Sequence, residues 1–226
     1  MAPGAPEPSG EPATSARRLP AQLPPIGWRA AQEAAKDVLR ETRARPAPLG
    51  FVGFGLTAIL LGLHDARIVR IDSAWLAFGL ACGGVAQLAG AVVEWRRRNR
   101  VAALAFGGYA AFWLSLVAII LAPRFGVAAP SDHTATAAYL FFWGLFTVAL
   151  FVGSFRTSLA LMATLFLLTM LFLLLAFADA TQSTGLALAA GWVGIATGLG
   201  AVYVGAAETV NAVRGHTVLP IGEPRD

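Results

Sequence analysis

The stretch RPAPLGFVGFGLTAILLGLHD, residues 45–65, joins two prolines and a glycine to an apolar run of membrane-crossing length. Proline fits only the first turn of a helix, so Pro46 and Pro48 mark a helix start. Such a start leaves backbone N–H groups unpaired, and with the helix dipole they form a natural resting place for a carboxylate or another anion. Arg45, Pro46, Pro48, Leu49 and Gly50 therefore read as the entrance to an anion path as well as a boundary.

Working outward, five more apolar blocks follow the first. Together the six run approximately from Pro48 to Leu63, Ala74 to Val93, Val101 to Ala122, Ala137 to Phe155, Ser158 to Phe177 and Gly185 to Ala207. Each approaches the roughly 20 residues that a helix needs to cross the hydrocarbon core. The 226-residue chain is 57% hydrophobic and only 13% charged, with a mean hydropathy of +0.64, which excludes a water-soluble globular domain. The expected fold is all-α: a polytopic six-transmembrane-helix bundle.

The pI near 10.0 invites a nucleic-acid reading, but topology accounts for the charge better. Seven cations from Arg17 to Arg45 precede the first span, Arg96, Arg97, Arg98 and Arg100 join spans two and three, Arg156 joins four and five, and Arg214 and Arg225 follow the sixth. The opposite side holds Arg67, Arg70 and Arg124. By the positive-inside rule both termini are expected in the cytoplasm, as an even number of spans requires, and no nucleic-acid partner is expected.

Three regions follow. Residues 1–44 form a cytoplasmic leader, its first part (1–25) rich in Pro, Ala, Gly and Ser and expected to be disordered, its second (26–43) patterned for a short interfacial helix. Residues 45–212 form the transmembrane domain, and 213–226 a cytoplasmic tail. The leader lacks the pattern of a signal peptide, so no cleaved presequence is expected. The single cysteine, Cys82, forms no intrachain disulfide and reads as a small packing residue. No connection is long enough for a soluble output module, so the function is placed in the bundle.

In the second span Gly79, Gly83, Gln87, Gly90 and Glu94 line one helical face. The glycines serve close packing or a conduit, and Gln87 either lines a path or bonds to another helix. Span six repeats the device with Gly191, Gly194, Gly198, Ala201, Gly205 and Glu208. Glu94 and Glu208 end these stripes on the cytoplasmic side, either solvated or, for Glu94 beside Arg96, ion-paired. Thr57 donates to a carboxylate or bonds back to its own helix, and His64 is an interface residue or a proton relay. No Lys or Arg lies inside a span, so anion selectivity falls to partial charges: helix starts, the Gln87 amide and the hydroxyls of Thr57, Tyr109 and Ser115. Glu94 and Ser115 are candidates for the vestibules. No P-loop, metal-spaced cluster or nucleophile with a base at bilayer depth is present, so neither an enzyme nor a cofactor is expected.

With these pieces in place, the chain resembles the acetate/succinate uptake transporter family, the bacterial succinate–acetate permeases and their fungal relatives. The likeness rests on RPAPLGFVGFGLTAILLGLHD at 45–65, GGVAQLAGAVVEW at 83–95, YAAFWLSLVAIILAP at 109–123, YLFFWGLFT at 139–147 and GHTVLPIGE at 215–223. It implies uptake of small monocarboxylates, chiefly acetate with succinate or lactate, coupled to protons, in the bacterial inner membrane. It also implies a ring-shaped homohexamer with one path per subunit, surrounded by membrane lipids. Within that path it implies a constriction at Phe54, Tyr109 and Leu168, with Gln87 as the family glutamine and Ala201 as the residue linked to substrate size. Read without the family, Phe54 and Leu168 are core or lipid-facing residues. Arg45 departs from the family asparagine, and either attracts carboxylates or snorkels to headgroups. Two alternatives remain: a channel-like anion pore without proton coupling, and a structural membrane protein with no flux.

Overall fold

The computed structural model describes residues 48–222; Arg45, Pro46, the leader and residues 223–226 lie outside the described residues. Six helices long and apolar enough to cross a membrane make up this part. They are α1 (Pro48–Asp65), α2 (Ser73–Arg96), α3 (Arg100–Leu121), α4 (His133–Gly153), α5 (Leu159–Thr181) and α6 (Thr184–Arg214). The chain is therefore a multi-pass, all-α membrane protein, the fold that lets a spanning segment satisfy the backbone groups of its middle turns within its own helix, as hydrocarbon demands.

Local chemistry sets the helix ends. Asp72, Asn99, Asp132, Ser158 and Ser183 each accept a bond from the backbone N–H three residues on, capping α2 through α6. The Asp132 cap starts α4 at His133, ahead of the Ala137 that hydropathy suggests. Gly215, in the left-handed region at φ 70°, stops α6 at Arg214, beyond both Ala207 and the expected boundary at 212.

One feature has no counterpart in the hydropathy pattern: between Gly79 and Ala86, α2 winds as a π-helix before returning to α geometry at Gln87. Such wide turns are rare and gather at functional sites.

Most helices pack closely against their neighbours in sequence, and α1 lies in extensive contact with α6. Aromatic rings span the α3–α4 side, where Phe112 meets Tyr139 and Trp143 at centroid separations of 6.0 and 5.6 Å.

The α1–α6 seam is backbone on backbone. A Cβ at Gly198 would lie 2.5 Å from the carbonyl oxygen of Gly55, and one at Gly62 would lie 2.6 Å from that of Gly191. The small-residue stripe of α6 is thus filled by α1, which settles it as a packing face at these positions.

The segment after α6 folds back as a strap. Asn211 accepts from the N–H groups of Val218 and Leu219 at 2.7 and 2.9 Å and donates to the Leu219 carbonyl at 2.9 Å. The carbonyls of Gly222 and Ile221 then receive the N–H groups of Leu159 and Ala160 at 2.7 and 3.0 Å. The first turn of α5, whose donors a helix cannot satisfy itself, is completed by the chain's own last described residues.

Candidate functional site

Three large side chains meet inside the bundle, in one buried cluster. The Phe54 and Tyr109 rings stand 5.2 Å apart, and Leu168 joins Phe54 in the wall of a narrow apolar cavity. That cavity is walled by Phe54 and Leu61 of α1, Phe112 and Trp113 of α3, and Leu168 and Phe172 of α5, among other apolar residues. Phe54, Tyr109 and Leu168, the three residues expected at a constriction, are all buried. The Tyr109 hydroxyl donates to Thr147 Oγ1 at 3.2 Å, and Thr147 donates onward to the Trp143 carbonyl at 2.8 Å. The tyrosine therefore offers its ring to the collar while its polar end is tied to α4.

Gln87 sits at the same height. The antiparallel register of α2 and α3 sets Gly79 against Val117, Gly83 against Trp113 and Gly90 against Phe106, and that register puts Gln87 opposite Tyr109. Its side chain is completely buried, yet neither the amide nitrogen nor the amide oxygen has a hydrogen-bond partner among the described residues. The interhelical bond that a mid-membrane amide ordinarily makes is not formed. Native proteins leave few buried polar groups in this condition, and those few call for an explanation.

The other residues singled out from sequence fall as follows. Thr57 is buried and donates to its own helix, to the Gly53 carbonyl at 2.7 Å. Gly50 packs beneath the Phe106 ring, Leu49 is exposed, and Pro48 lies near Gly205 at the start of the α1–α6 seam. Ala201 is fully buried in the same apolar cluster as Phe54 and Leu168 but does not wall the cavity. Ser115 is half-buried, donating to the Phe112 carbonyl at 2.9 Å and sharing a 2.7 Å bond with Tyr139. His64 is half-buried with Nδ1 3.2 Å from the Val69 carbonyl oxygen.

Solvated carboxylates were one expectation for the stripe ends, and the structure differs. Glu94 is 0% exposed and Glu208 7%. Asn99 Nδ2 donates to Glu94 Oε2 at 2.8 Å and Arg97 approaches Oε1 at 3.3 Å, so the carboxylate knits the α2–α3 turn. At the opposite end His133 and Asp179 pair at 2.9 Å, joining α4 to α5. No group of three metal-ligating side chains occurs among the described residues.

Sequence reasoning overlooked Trp113, Phe112 and Phe172, which wall the cavity. A signal existed: Trp113 lies one helical turn beyond Tyr109, and Phe172 one turn beyond Leu168, so each shares a face with a residue already chosen.

Six spanning helices packed around an apolar cluster, with an unpaired buried amide beside it, define a polytopic membrane protein. Residues 29–222 match the GPR1/FUN34/yaaH family, and the chain belongs to that family. Among its relatives, the succinate-acetate/proton symporter SatP of Escherichia coli K12 is 40% identical over 180 residues, spanning 80% of this chain and 96% of that protein. A protein of Methanothermobacter thermautotrophicus is 42% identical over 190 residues, spanning 81% of this chain and 93% of its own. The solved structure of the bacterial acetate channel SatP superposes with a TM-score of 0.77 at 40% identity, covering 79% of this chain and 99% of the other.

Proposed function

We propose that this protein carries small carboxylates, chiefly the monocarboxylate acetate and with it succinate or lactate, across the bacterial inner membrane together with protons. The observation that carries the reading is the convergence of Phe54, Tyr109 and Leu168 at the height of a buried amide with both polar atoms unpaired. The family and the 40% identical symporter supply the substrate class.

The energetics are compatible. A carboxylic acid with a pKa near that of Glu, about 4.3, costs roughly 3.7 kcal/mol to protonate at pH 7. Stripping water from an unpaired carboxylate costs at least several kcal/mol. An apolar collar thus favours passage of the acid, or of an anion held by a few well-aimed donors, and Gln87 supplies two N–H donors there. Carboxylates enter past Pro48, Leu49 and Gly50, with Arg45 and Pro46 just ahead, and Glu94 and Ser115 lie toward the two vestibules. The passing carboxylate meets Gln87 opposite the collar, with Thr57 and Ala201 shaping the path beside it. The termini lie in the cytoplasm, on the side where the arginines gather, and six copies form a ring with one path in each.

Purified protein in liposomes tests this. Acetate uptake with internal acidification above that of protein-free vesicles is expected, and its absence overturns the proposal. The neighbour described as an acetate channel favours a second reading, an anion pore. That reading predicts acetate conductance with no accompanying movement of protons. Native mass spectrometry reads the stoichiometry, and any mass other than six subunits removes the ring.

A further inference from the structure

Three buried side chains among the described residues hold N–H groups with no hydrogen-bond partner: Gln87, Trp113 and Trp75. They are not scattered. Trp113 presses on Gly83, one turn from Gln87 on α2, and the Trp75 and Trp113 rings lie 6.4 Å apart at centroids. The three donors therefore follow the α2–α3 interface from mid-membrane toward the far side, over a distance on the order of 15 Å. Trp113 also walls the apolar cavity that begins at Phe54 and Leu168.

Indole N–H groups normally find a partner when buried, and these two are 1% and 2% exposed. A buried N–H with no partner is a strong attractor for an anion that has lost its water, because hydrogen bonds to charged groups are the stronger kind. The indole nitrogen is also a donor only, so it offers no acceptor that would hold a proton.

Resting on the transport reading above, we infer that Trp113 and Trp75 are carboxylate-binding residues on the far side of the collar. They continue the path that Gln87 begins. The carboxylate leaves the Gln87 amide, passes Phe54 and Leu168, and is received in turn by the indole N–H of Trp113 and then of Trp75. The ligand class is a small, flat monocarboxylate. No covalent step is involved.

The test replaces each tryptophan with benzothienylalanine, which keeps the bicyclic shape and exchanges the N–H for sulfur. The full chain is reconstituted in liposomes. Uptake at low acetate is expected to fall roughly ten-fold or more at either position, the loss of one hydrogen bond to a charged group, while thermal stability holds. In parallel, indole ¹⁵N–H resonances of the otherwise unmodified protein are followed by NMR during titration with acetate, and with acetamide as the uncharged control. The Trp113 and Trp75 signals are expected to move downfield with acetate and stay put with acetamide. Uptake within about two-fold of the unmodified protein and unmoved indole signals would overturn the inference. If in that case Gln87→Leu still lowers uptake roughly ten-fold or more, the transport reading stands and only the indole stations fall. If the unmodified protein itself takes up no acetate, both fall.

Discussion

Replacing Gln87 by leucine separates a transport role from a structural one, because the two predict opposite signs. The amide is wholly inaccessible, and both of its polar atoms lack partners among the described residues. Burying an unpaired polar group costs about 1–3 kcal/mol, although the membrane value for polar contacts averages only ~0.6 kcal/mol. Leucine is of similar bulk and carries neither atom. Gln87→Leu is therefore expected to leave stability unchanged or raise it by about 1 kcal/mol, which for a chain of this size lifts Tm by roughly 2–4 °C. Uptake should move the other way. A hydrogen bond to a charged carboxylate is worth about 1.5–3 kcal/mol, so its loss reduces uptake at low acetate roughly 10- to 150-fold. Thermal unfolding in detergent and acetate uptake in liposomes, on the same preparation, read both quantities. A clear fall in Tm with uptake intact would refute the reasoning, because it would mean that the amide fastens helices together.

Three further expectations follow from the packing. Gly198→Ala places a methyl group 2.5 Å from the Gly55 carbonyl oxygen and 2.7 Å from the Ile59 nitrogen, backbone atoms that cannot rotate aside; a loss of about 1–3 kcal/mol is expected in thermal unfolding, whereas Gly153→Ala, which meets open space, should not destabilise. Asn211→Leu removes the three bonds that hold the strap, and hydrogen exchange at residues 215–222 and at the first turn of α5 should rise together, with a stability loss of about 1–3 kcal/mol. If only the strap exchanges faster, it does not cap α5. Leu168→Ala opens the wall of the apolar cavity at a cost of about 2–5 kcal/mol, and in competition assays the protein should accept succinate better relative to acetate. An unchanged preference would remove Leu168 from the constriction.

The six spans were legible because hydrocarbon forces each crossing segment to satisfy its own backbone, and a run of apolar residues can then do little but form a helix. The ends were less so. Hydropathy could not place the start of α4, since Asp132 caps a first turn containing polar His133, Thr134 and Thr136. Nor does GLACGGVA show that its residues bond five apart rather than four. The run of arginines beside Glu94 makes an ion pair legible, but its complete burial is not, because that depends on a turn in which Asn99 and Arg97 come back over it. The α6 stripe needed a partner to be interpreted. That partner, Gly55 and Gly62, lies at the other end of the chain, and nothing local links the two.

The collar was reached through family likeness, yet its geometry has a simpler root. Phe54, Tyr109 and Leu168 sit six, nine and nine residues from the described starts of α1, α3 and α5. These odd-numbered helices all cross in the same direction, so the three side chains arrive at similar depth, ~9–14 Å along their helices. The even-numbered helices run the other way and contribute differently. The glycines of α6 let α1 lie against it, and α2 brings small residues and one amide to α3. Bulk enters the centre from one set of helices while close approach and polarity come from the other. The constriction proposed at these residues would be set by side-chain rotamers more than by helix positions, since the backbone seam of α1 and α6 leaves little freedom to slide. Widening should therefore be obtained by shortening Phe54 or Leu168 while the α1–α6 seam stays intact. Loosening the seam at Gly198 should cost stability without a corresponding change in substrate preference, and a Gly198→Ala protein that folds but prefers succinate would show that the helices, not the side chains, set the gap.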